Sequence, residues 1–408
     1  MLAATWIKKA AYCLIALSMV VTVGAAGDFI RRGVKVTESV MLNTKKYGDE
    51  QNSSYLAVSG TVKGDQVWNQ GTLPDDLTPP VHLAIKNSFL IVRYKTRVDV
   101  RNRETGQLVW SRQLPANFHF DLKPEGLVTL DQSGYYEMLG LDQNVSGRMS
   151  LPFLSNNTVL YLSHRQDKEI FFAYQAIPTP TNAPGDIFQG PSFTFTRFHI
   201  EKDDFIWQFR RPEILIDVLF TRDRDRFCIC TERNVYLFGR GSDSDSSVKT
   251  IPFEQIRSCA FDHQGNLLVV GRQEKEGKIE KDISLKKMSP DGRLFWQYVL
   301  GRFVNLGQPP ATLPDGTVFL IAGTELFSIK DGDVVWKYHL PSKPDSTYMT
   351  LLDDGSALVA GGVALIQLSA GGEEIKKVLT GDPLTERPLM DENGRVYIGG
   401  VKGIRCLK

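Results

Sequence analysis

The chain has 408 residues, of which 42% are hydrophobic, and a formal net charge of +1 at pH 7. Basic and acidic residues are interleaved, so the charge balance gives no reason to expect a nucleic-acid partner or an acidic substrate. The hydrophobic content is typical of a folded protein, and the length allows one large domain or two or three smaller ones.

Residues 1–27 have the pattern of an export signal. Lys8 and Lys9 precede an almost uncharged apolar run at 10–27, which ends in small residues. A charged start, an apolar centre and a small-residue exit predict a secretory signal peptide, cleaved after Ala26. The run also has about the minimum length that spans a bilayer, so an uncleaved membrane anchor at 10–27 stays open. Both alternatives predict an exported protein, periplasmic or otherwise extracytoplasmic.

Residues 28–57 carry no packing signal and are interpreted as a tether. From residue 58 onward, a polar turn followed by an apolar strand with tryptophan recurs at steps of about forty residues or about twice that. Weaker copies without tryptophan fill the gaps near positions 149 and 248, and another follows near 377. Such a period indicates a repeat fold. The tryptophans of the phrase are Trp68, Trp110, Trp207, Trp296 and Trp336.

A second phrase runs in phase with the first. It is an acidic turn ending in glycine, followed by a short apolar strand, and such turns supply the positive φ of tight hairpins. Short strands between repeated turns indicate an all-β protein, and no segment after the N-terminus sustains a helical period. The turns are Asp131-Gln-Ser-Gly134, Asp262-His-Gln-Gly265, Pro314-Asp-Gly316, Asp353-Asp-Gly355 and Asp391-Glu-Asn-Gly394.

The two phrases together predict one domain at 58–408, an eight-bladed β-propeller. An eighth blade at 385–408 has only three strands, and one unassigned outer strand lies at 60–70. We expect this strand to complete the eighth blade and close the ring, which removes open sheet edges. The seven complete blades are predicted at 78–113, 117–151, 154–209, 213–251, 255–299, 308–339 and 346–379.

Four cysteines follow the predicted signal. Cys228 and Cys230 alternate in one predicted strand, and Cys259 lies on the first strand of the next blade. The favoured interpretation is that all four, including Cys406, are small buried hydrophobic residues. A disulfide from Cys259 to Cys228 or to Cys230 stays open. A metal site is not predicted, because no histidine or third cysteine stands nearby at ligand spacing.

The phrase Thr105-Gly-Gln-Leu-Val-Trp110, echoed at Trp296 and Trp336, resembles the repeat of the quinoprotein-dehydrogenase-like (PQQ-like) propellers over residues 60–408. That superfamily contains quinone-cofactor dehydrogenases and cofactor-free scaffolds, among them the propeller lipoprotein of outer-membrane assembly. The resemblance implies for the dehydrogenases an adjacent Cys-Cys pair at the quinone and a bound calcium. Here the nearest form is Cys228-Ile-Cys230, and no calcium ligands match. We therefore predict the cofactor-free, non-catalytic branch.

The tryptophans occupy the same position in each repeat, which indicates that they share one role. We interpret that role as structural: the indoles pack between neighbouring blades. Two long connections, in blades three and five, fall between the second and third strands and so emerge on one face. Long loops on a rigid scaffold often carry recognition, so we predict a partner-binding rim, although neutral insertions are an open alternative. The rim candidates are Pro178, Pro180, Asn182, Asp186, Phe188, Glu274, Lys275, Glu276 and Lys278.

The sequence thus predicts an exported scaffold for protein–protein interaction or complex assembly in the cell envelope, without cofactor or metal. Its expected partners are envelope proteins, with membrane contact through the N-terminal segment if that segment is uncleaved. Two alternatives stay open: a quinone-dependent dehydrogenase, and a propeller that binds a small ligand or glycan at the channel mouth. The oligomeric state is not predicted.

Overall fold

The computed structural model describes residues 55–71, 78–116, 118–123, 126–151, 154, 157–164, 169–176, 191–222, 226–239, 248–275, 278–302, 304–343 and 346–408. The predicted signal at 1–27 and most of the predicted tether at 28–57 lie outside this set. No helix within the described ranges has the length and apolar character needed to cross a bilayer.

Among the described residues, seven four-stranded antiparallel sheets and one sheet with an added fifth strand form the blades, and the eight-bladed β-propeller is confirmed. Blades one to four are β3 (His82–Lys86), β4 (Phe89–Arg93), β5 (Arg97–Asn102), β6 (Leu108–Gln113); β7 (His119–Lys123), β8 (Gly126–Leu130), β9 (Tyr135–Gly140), β10 (Val145–Ser150); β11 (Asn157–His164), β12 (Glu169–Ala176), β13 (Ser192–His199), β14 (Asp204–Arg211); and β15 (Leu215–Phe220), β16 (Phe227–Thr231), β17 (Asn234–Phe238), β18 (Lys249–Pro252). Blades five to seven are β19 (Gln255–Phe261), β20 (Leu267–Arg272), β23 (Ile283–Met288), β24 (Leu294–Gly301); β25 (Ala311–Thr312), β26 (Val318–Ala322), β27 (Glu325–Lys330), β28 (Asp333–His339); and β29 (Thr347–Leu352), β30 (Ala357–Gly361), β31 (Ala364–Leu368), β32 (Glu374–Leu379). Blade eight is β33 (Leu389–Met390), β34 (Val396–Gly400), β35 (Gly403–Leu407) and the N-terminal β2 (Gln66–Gly71).

The ring closes as expected from the sequence. β2 pairs antiparallel with β35, with Asn69 opposite Arg405 and Gln70 opposite Ile404. The first outer strand of the chain therefore completes the last blade, and the edge that β35 would expose is covered.

The hydrophobic core lies between the blades. Inner strands such as β26 and β34 are buried along their whole length, whereas the outermost β28 alternates between half-buried and exposed residues. One core cluster joins Val100 of blade one to Phe120 of blade two, and comparable clusters join the other neighbours. A period of two with one solvent-facing side is what an outer antiparallel strand requires.

The acidic turns occupy two positions in the blades, which corrects the expectation that they share one phase. The turns at Asp262, Asp353 and Asp391 join first and second strands, but the turn at Asp131 joins β8 to β9, the second and third strands of its blade. The Asp131 carboxylate accepts hydrogen bonds from backbone amides within its turn, as the Asp262 carboxylate does. The local sequence specifies the turn but not its place in the blade.

A two-residue strand, β1 (Tyr55–Leu56), lies at the end of the predicted tether. It pairs in parallel with β29, the innermost strand of blade seven, which becomes five-stranded. The tether prediction had no signal for this strand, because two residues are too few to show a periodic pattern.

Cys230 and Cys259 form a disulfide between β16 of blade four and β19 of blade five, while Cys228 and Cys406 are buried free thiols. The interpretation of all four as free hydrophobic residues is therefore wrong for Cys230 and Cys259. The physical reason is that β19 packs against β16 across the interface between blades, where both side chains face one core. Burial raises the pKa of the Cys406 thiol to about 12.

Candidate functional site

The two faces of the ring carry different connections. Successive strands of a blade run in opposite directions, so first-to-second and third-to-fourth turns share one face, here called the hairpin face. Second-to-third turns and the links between blades share the other, here called the loop face. Any site on the loop face is therefore built from a different set of segments than a site on the hairpin face.

Both predicted rim segments leave the loop face. The blade-three connection joins β12 to β13, and its rim candidates, Pro178, Pro180, Asn182, Asp186 and Phe188, lie outside the described residues. The blade-five connection contains a two-stranded hairpin of β21 (Glu274–Lys275) and β22 (Lys278–Ile279).

Blade four, between these two segments, has a short second-to-third turn at 232–233. The backbone of Glu274, Lys275 and Lys278 is described, their side chains are not, and Glu276 lies outside the described residues. A role of these rim residues in binding stays a prediction.

A buried lysine forms an ion pair at the base of the blade-five hairpin. The ammonium group of Lys286 lies 2.7 Å from Oε1 and 2.9 Å from Oε2 of Glu280, and it also donates to Gln297. The Lys286 side chain is 1% exposed, so this ion pair is screened little by solvent. It orients the base of the hairpin. The sequence analysis missed this pair, although a lysine at an inward position of a strand is a recognisable signal.

The central channel is lined by the first strand of each blade, and β1 lies inside it. The hydroxyl of Tyr55 donates to the Asp353 carboxylate, and its ring lies 4.8 Å from that of His263 in an edge-on arrangement. Asp353 and His263 stand in first-to-second turns of blades seven and five. Tyr55 therefore reaches across the hairpin-face end of the channel, and burial raises its pKa.

At the loop-face end, charged and aromatic side chains converge from three blades. Nε2 of His119 lies 2.8 Å from the carbonyl oxygen of Val159 and donates to it. Burial, and then the charge of Arg93, lower the pKa of His119 to about 4, so this imidazole is neutral at pH 7. The Arg93 guanidinium lies 5.0 Å from the centre of the Phe118 ring. Burial lowers the pKa of Arg93, and the charge of Glu386 offsets part of this shift.

The tryptophans lie where neighbouring blades meet. The indole nitrogen of Trp110 donates to the carbonyl of Leu141 at 2.7 Å, and that of Trp336 donates to the carbonyl of Ala370 at 2.8 Å. Trp68 makes the corresponding contact with Arg103 at 3.2 Å. In each case the acceptor lies in the third-to-fourth turn of the following blade. The contacts of these three indoles are therefore contacts between blades.

The cysteines do not fit the quinone group that the fold class implies. No two cysteines are adjacent in the chain. Cys228 and Cys230 are buried within blade four, and Cys230 is bonded to Cys259 of the next blade. Cys259 lies on β19, the first strand of blade five, but its side chain is buried with Cys230 in the core between blades four and five. Among the described residues, no three His, Cys, Asp or Glu side chains are placed to hold a metal ion.

Neither a family model nor a curated protein matches the chain. Among solved structures, the quinohemoprotein alcohol dehydrogenase ADHIIG from Pseudomonas putida HK5 is similar with a TM-score of 0.61 at 9% identity, over 90% of this chain and 77% of that chain. The enzyme of the same type from Comamonas testosteroni gives a TM-score of 0.61 at 10% identity, over 93% and 82%. BamB from Moraxella catarrhalis gives 0.49 at 13%, over 80% and 95%. The chain therefore shares its fold with the two quinohemoprotein alcohol dehydrogenases.

Proposed function

We propose that this protein is an exported, non-catalytic scaffold that binds a protein partner of the cell envelope through the loop face of blades three to five. The observation that carries the proposal is the placement of the two long connections, which leave the same face on either side of blade four. The Lys286–Glu280 pair gives the blade-five hairpin a rigid base. Long loops held by a rigid scaffold are where recognition residues concentrate.

Two further observations support the proposal. The chain lacks the adjacent cysteine pair that the resemblance implies for the quinone enzymes, and Cys230 is instead bonded to Cys259, which favours a role without that cofactor. The charged start and apolar run of residues 1–27 favour export. Fractionation of the cell with N-terminal sequencing tests the export: a mature chain that starts after Ala26 supports cleavage, and intact protein in the cytosol contradicts it.

Cross-linking in intact cells, followed by affinity purification and mass spectrometry, tests the scaffold role. Deletion of 178–188 on the loop face should remove the cross-linked partner. The matched control deletes 241–246, a third-to-fourth connection on the hairpin face of blade four, and should retain it. Recovery of the same partner in equal amounts from both deletions contradicts the proposal.

A quinone-dependent dehydrogenase is the second candidate, favoured by the shared fold with two quinohemoprotein alcohol dehydrogenases. Protein purified after supply of quinone and calcium would then carry a quinone absorbance and reduce an artificial dye with an alcohol. If this activity is retained after deletion of 178–188, the protein is an enzyme and the scaffold proposal is contradicted.

A small-ligand or glycan binder is the third candidate, favoured by the mutual electrostatic influence of Arg93, His119 and Glu386 at the loop-face ends of blades one, two and eight. Calorimetry against a panel of anionic sugars tests it. Binding that is lost in Arg93→Ala and kept after deletion of 178–188 supports this candidate over the scaffold.

A further inference from the structure

Residues 55–64, here called the strap, run from the channel to the outer rim between blades seven and eight. The strap begins with β1, where Tyr55 lies opposite Leu351 and Leu56 opposite Leu352 of β29. It ends where the backbone amide of Gly64 donates to the carbonyl of Lys408, just before β2. The strap is thus an extended segment whose backbone partners lie within residues 351–408.

Two residues of blade seven hold the backbone of the strap. The side-chain amide of Gln367 donates to the carbonyl of Gly60 at 2.6 Å and accepts from the amide of Val62 at 2.8 Å. The backbone amide of Asp353 donates to the carbonyl of Val58 at 2.8 Å. Gln367 is 2% exposed, so its two hydrogen-bonding groups are committed to the strap in a site shielded from water.

Three side chains of the strap make specific contacts with the blades. Tyr55 reaches Asp353 and His263, while Leu56 and Val62 are 6% and 2% exposed in the core between blades seven and eight. The intervening Ser59 and Thr61 are exposed. In strand addition, the edge of a sheet binds an extended peptide through backbone pairing and through pockets for its side chains. Blade seven holds the strap in this way, and the side-chain amide of Gln367 adds a clamp on its backbone.

We propose that the inner edge of β29, with Asp353, His263 and Gln367, is a binding groove for an extended peptide, which the strap fills in cis. The peptide that fits lies parallel to β29, with a tyrosine that donates to Asp353, a leucine next to it, and a valine six residues after the leucine. The groove lies at blades seven and eight, so it goes beyond the loop-face site and is independent of it.

The strap can leave this groove without opening the ring. Of the described residues, only Tyr55 and Leu56 pair with β29, whereas the longer pairing of β2 with β35 closes the outer edge of the ring. Segments with few paired residues open locally at a lower free energy than the body of the fold. The strap is therefore an autoinhibitory contact, because a partner peptide must displace it.

Fluorescence anisotropy with a labelled peptide of residues 52–64 tests the groove in the full-length protein. In the wild type the strap competes at a high effective concentration, so little binding is expected. The double variant Tyr55→Ser/Leu56→Ser releases the strap and should bind the peptide at least about tenfold more tightly. Adding Gln367→Ala to that variant should weaken binding by about tenfold or more, because the clamp is lost.

A double variant that keeps the wild-type far-UV spectrum and does not bind the peptide overturns the proposal, as does binding that is indifferent to Gln367→Ala. If the double variant fails to fold, a protease site placed at 72–77 gives a second route. The folded protein is cleaved there and mixed with excess labelled peptide of residues 52–71. Exchange of the segment, seen by native mass spectrometry, supports a displaceable strap, and retention without exchange overturns it.

Discussion

At the scale of single residues, the tryptophan–glycine pair explains why the repeated phrase has its composition. Gly106 adopts a φ of +72°, and a Cβ added there would come within 2.7 Å of the Trp68 ring. The same holds for Gly372 and Trp336, at 2.5 Å. Glycine is therefore required at these positions for two reasons: the turn is left-handed, and the indole that lies against it leaves no room for a Cβ. This double requirement keeps the phrase recognisable in the sequence.

Replacing Trp110 should destabilise the fold strongly. Trp110 is 6% exposed and donates to Leu141 in the next blade, so Trp110→Ala leaves a cavity and an unpaired carbonyl. We expect a loss of about 3–5 kcal/mol in the free energy of unfolding, measured by urea denaturation. The matched control is Val109→Ala on the same strand, because Val109 is 50% exposed and its truncation should cost less than about 1 kcal/mol. Equal losses in the two variants would refute the role of Trp110 between blades.

His119 should make stability depend on pH in a defined window. Its pKa falls from the ordinary 6.5 to about 4, because burial beside Arg93 favours the neutral ring. Between these values the unfolded chain binds the proton more readily than the folded protein. The contribution to stability is therefore complete above pH 6.5 and is lost as the pH falls toward 4.

Comparison of denaturation at pH 7 and pH 4.5 measures this contribution, which we expect to be about 1–3 kcal/mol. His119→Gln keeps a donor for Val159 but does not titrate, and it should flatten that part of the pH profile. A profile identical to the wild type would show that another group is responsible.

At the scale of elements, burial decides what an acidic turn contributes. Asp262 is fully buried, accepts from two backbone amides of its turn and pairs with Lys287 at 2.9 Å. Asp315 lies in the corresponding turn of the next blade, but at its third position rather than its first, and its side chain is 53% exposed. The two carboxylates therefore differ in their position within the turn as well as in their burial.

The variant Asp262→Ala should therefore cost about 2–4 kcal/mol of unfolding free energy, because it orphans two amides and a largely buried ammonium. Asp315→Ala should cost less than about 1 kcal/mol, because water replaces the lost partner. Thermal and urea unfolding of both variants measure the difference. A loss at Asp315 as large as that at Asp262 would contradict the argument from burial.

The sequence predicted those elements whose pattern is local. The outer strands were visible through their tryptophans, and the hairpins through their acidic turns. The two-residue β1 was not visible in the sequence, because it pairs with β29, which lies almost three hundred residues later in the chain. The choice of Cys230 over Cys228 as the partner of Cys259 could not be made either, because both alternate on one strand and only the packing of blades four and five separates them.

For the candidate site, the sequence predicted which face of the ring carries the two long connections, but it did not predict the side-chain contacts. Both long connections were placed correctly between second and third strands, because the blade repeat gives each strand its position. The Lys286–Glu280 pair and the Gln367 clamp were missed. Each depends on a polar side chain that meets its partner only after the sheet has formed, so the sequence can mark an inward polar residue but does not identify its partner.

At the scale of the whole molecule, stability depends on a seam between the two ends of the described chain. The N-terminal segment contributes β1 inside the channel, the strap between blades seven and eight, and β2 at the rim. Leu56, Val62 and Trp68 are all buried in the cluster that joins blades seven, eight and one. The N-terminal segment therefore contributes core contacts along the full width of the seam, in addition to the pairing of β2 with β35 that closes the ring.

Two truncations test this seam. A chain that begins at residue 55 keeps every described contact and should unfold at the same temperature as a chain that begins at residue 28. A chain that begins at residue 72 loses Leu56, Val62 and Trp68 from the core, at a cost on the order of 5 kcal/mol. It also leaves β35 with an open edge, so it should associate. Calorimetry and light scattering measure both effects. A monomeric chain from residue 72 with an unchanged unfolding temperature would show that blade eight is stable with three strands, and that closure by the N-terminal strand contributes little.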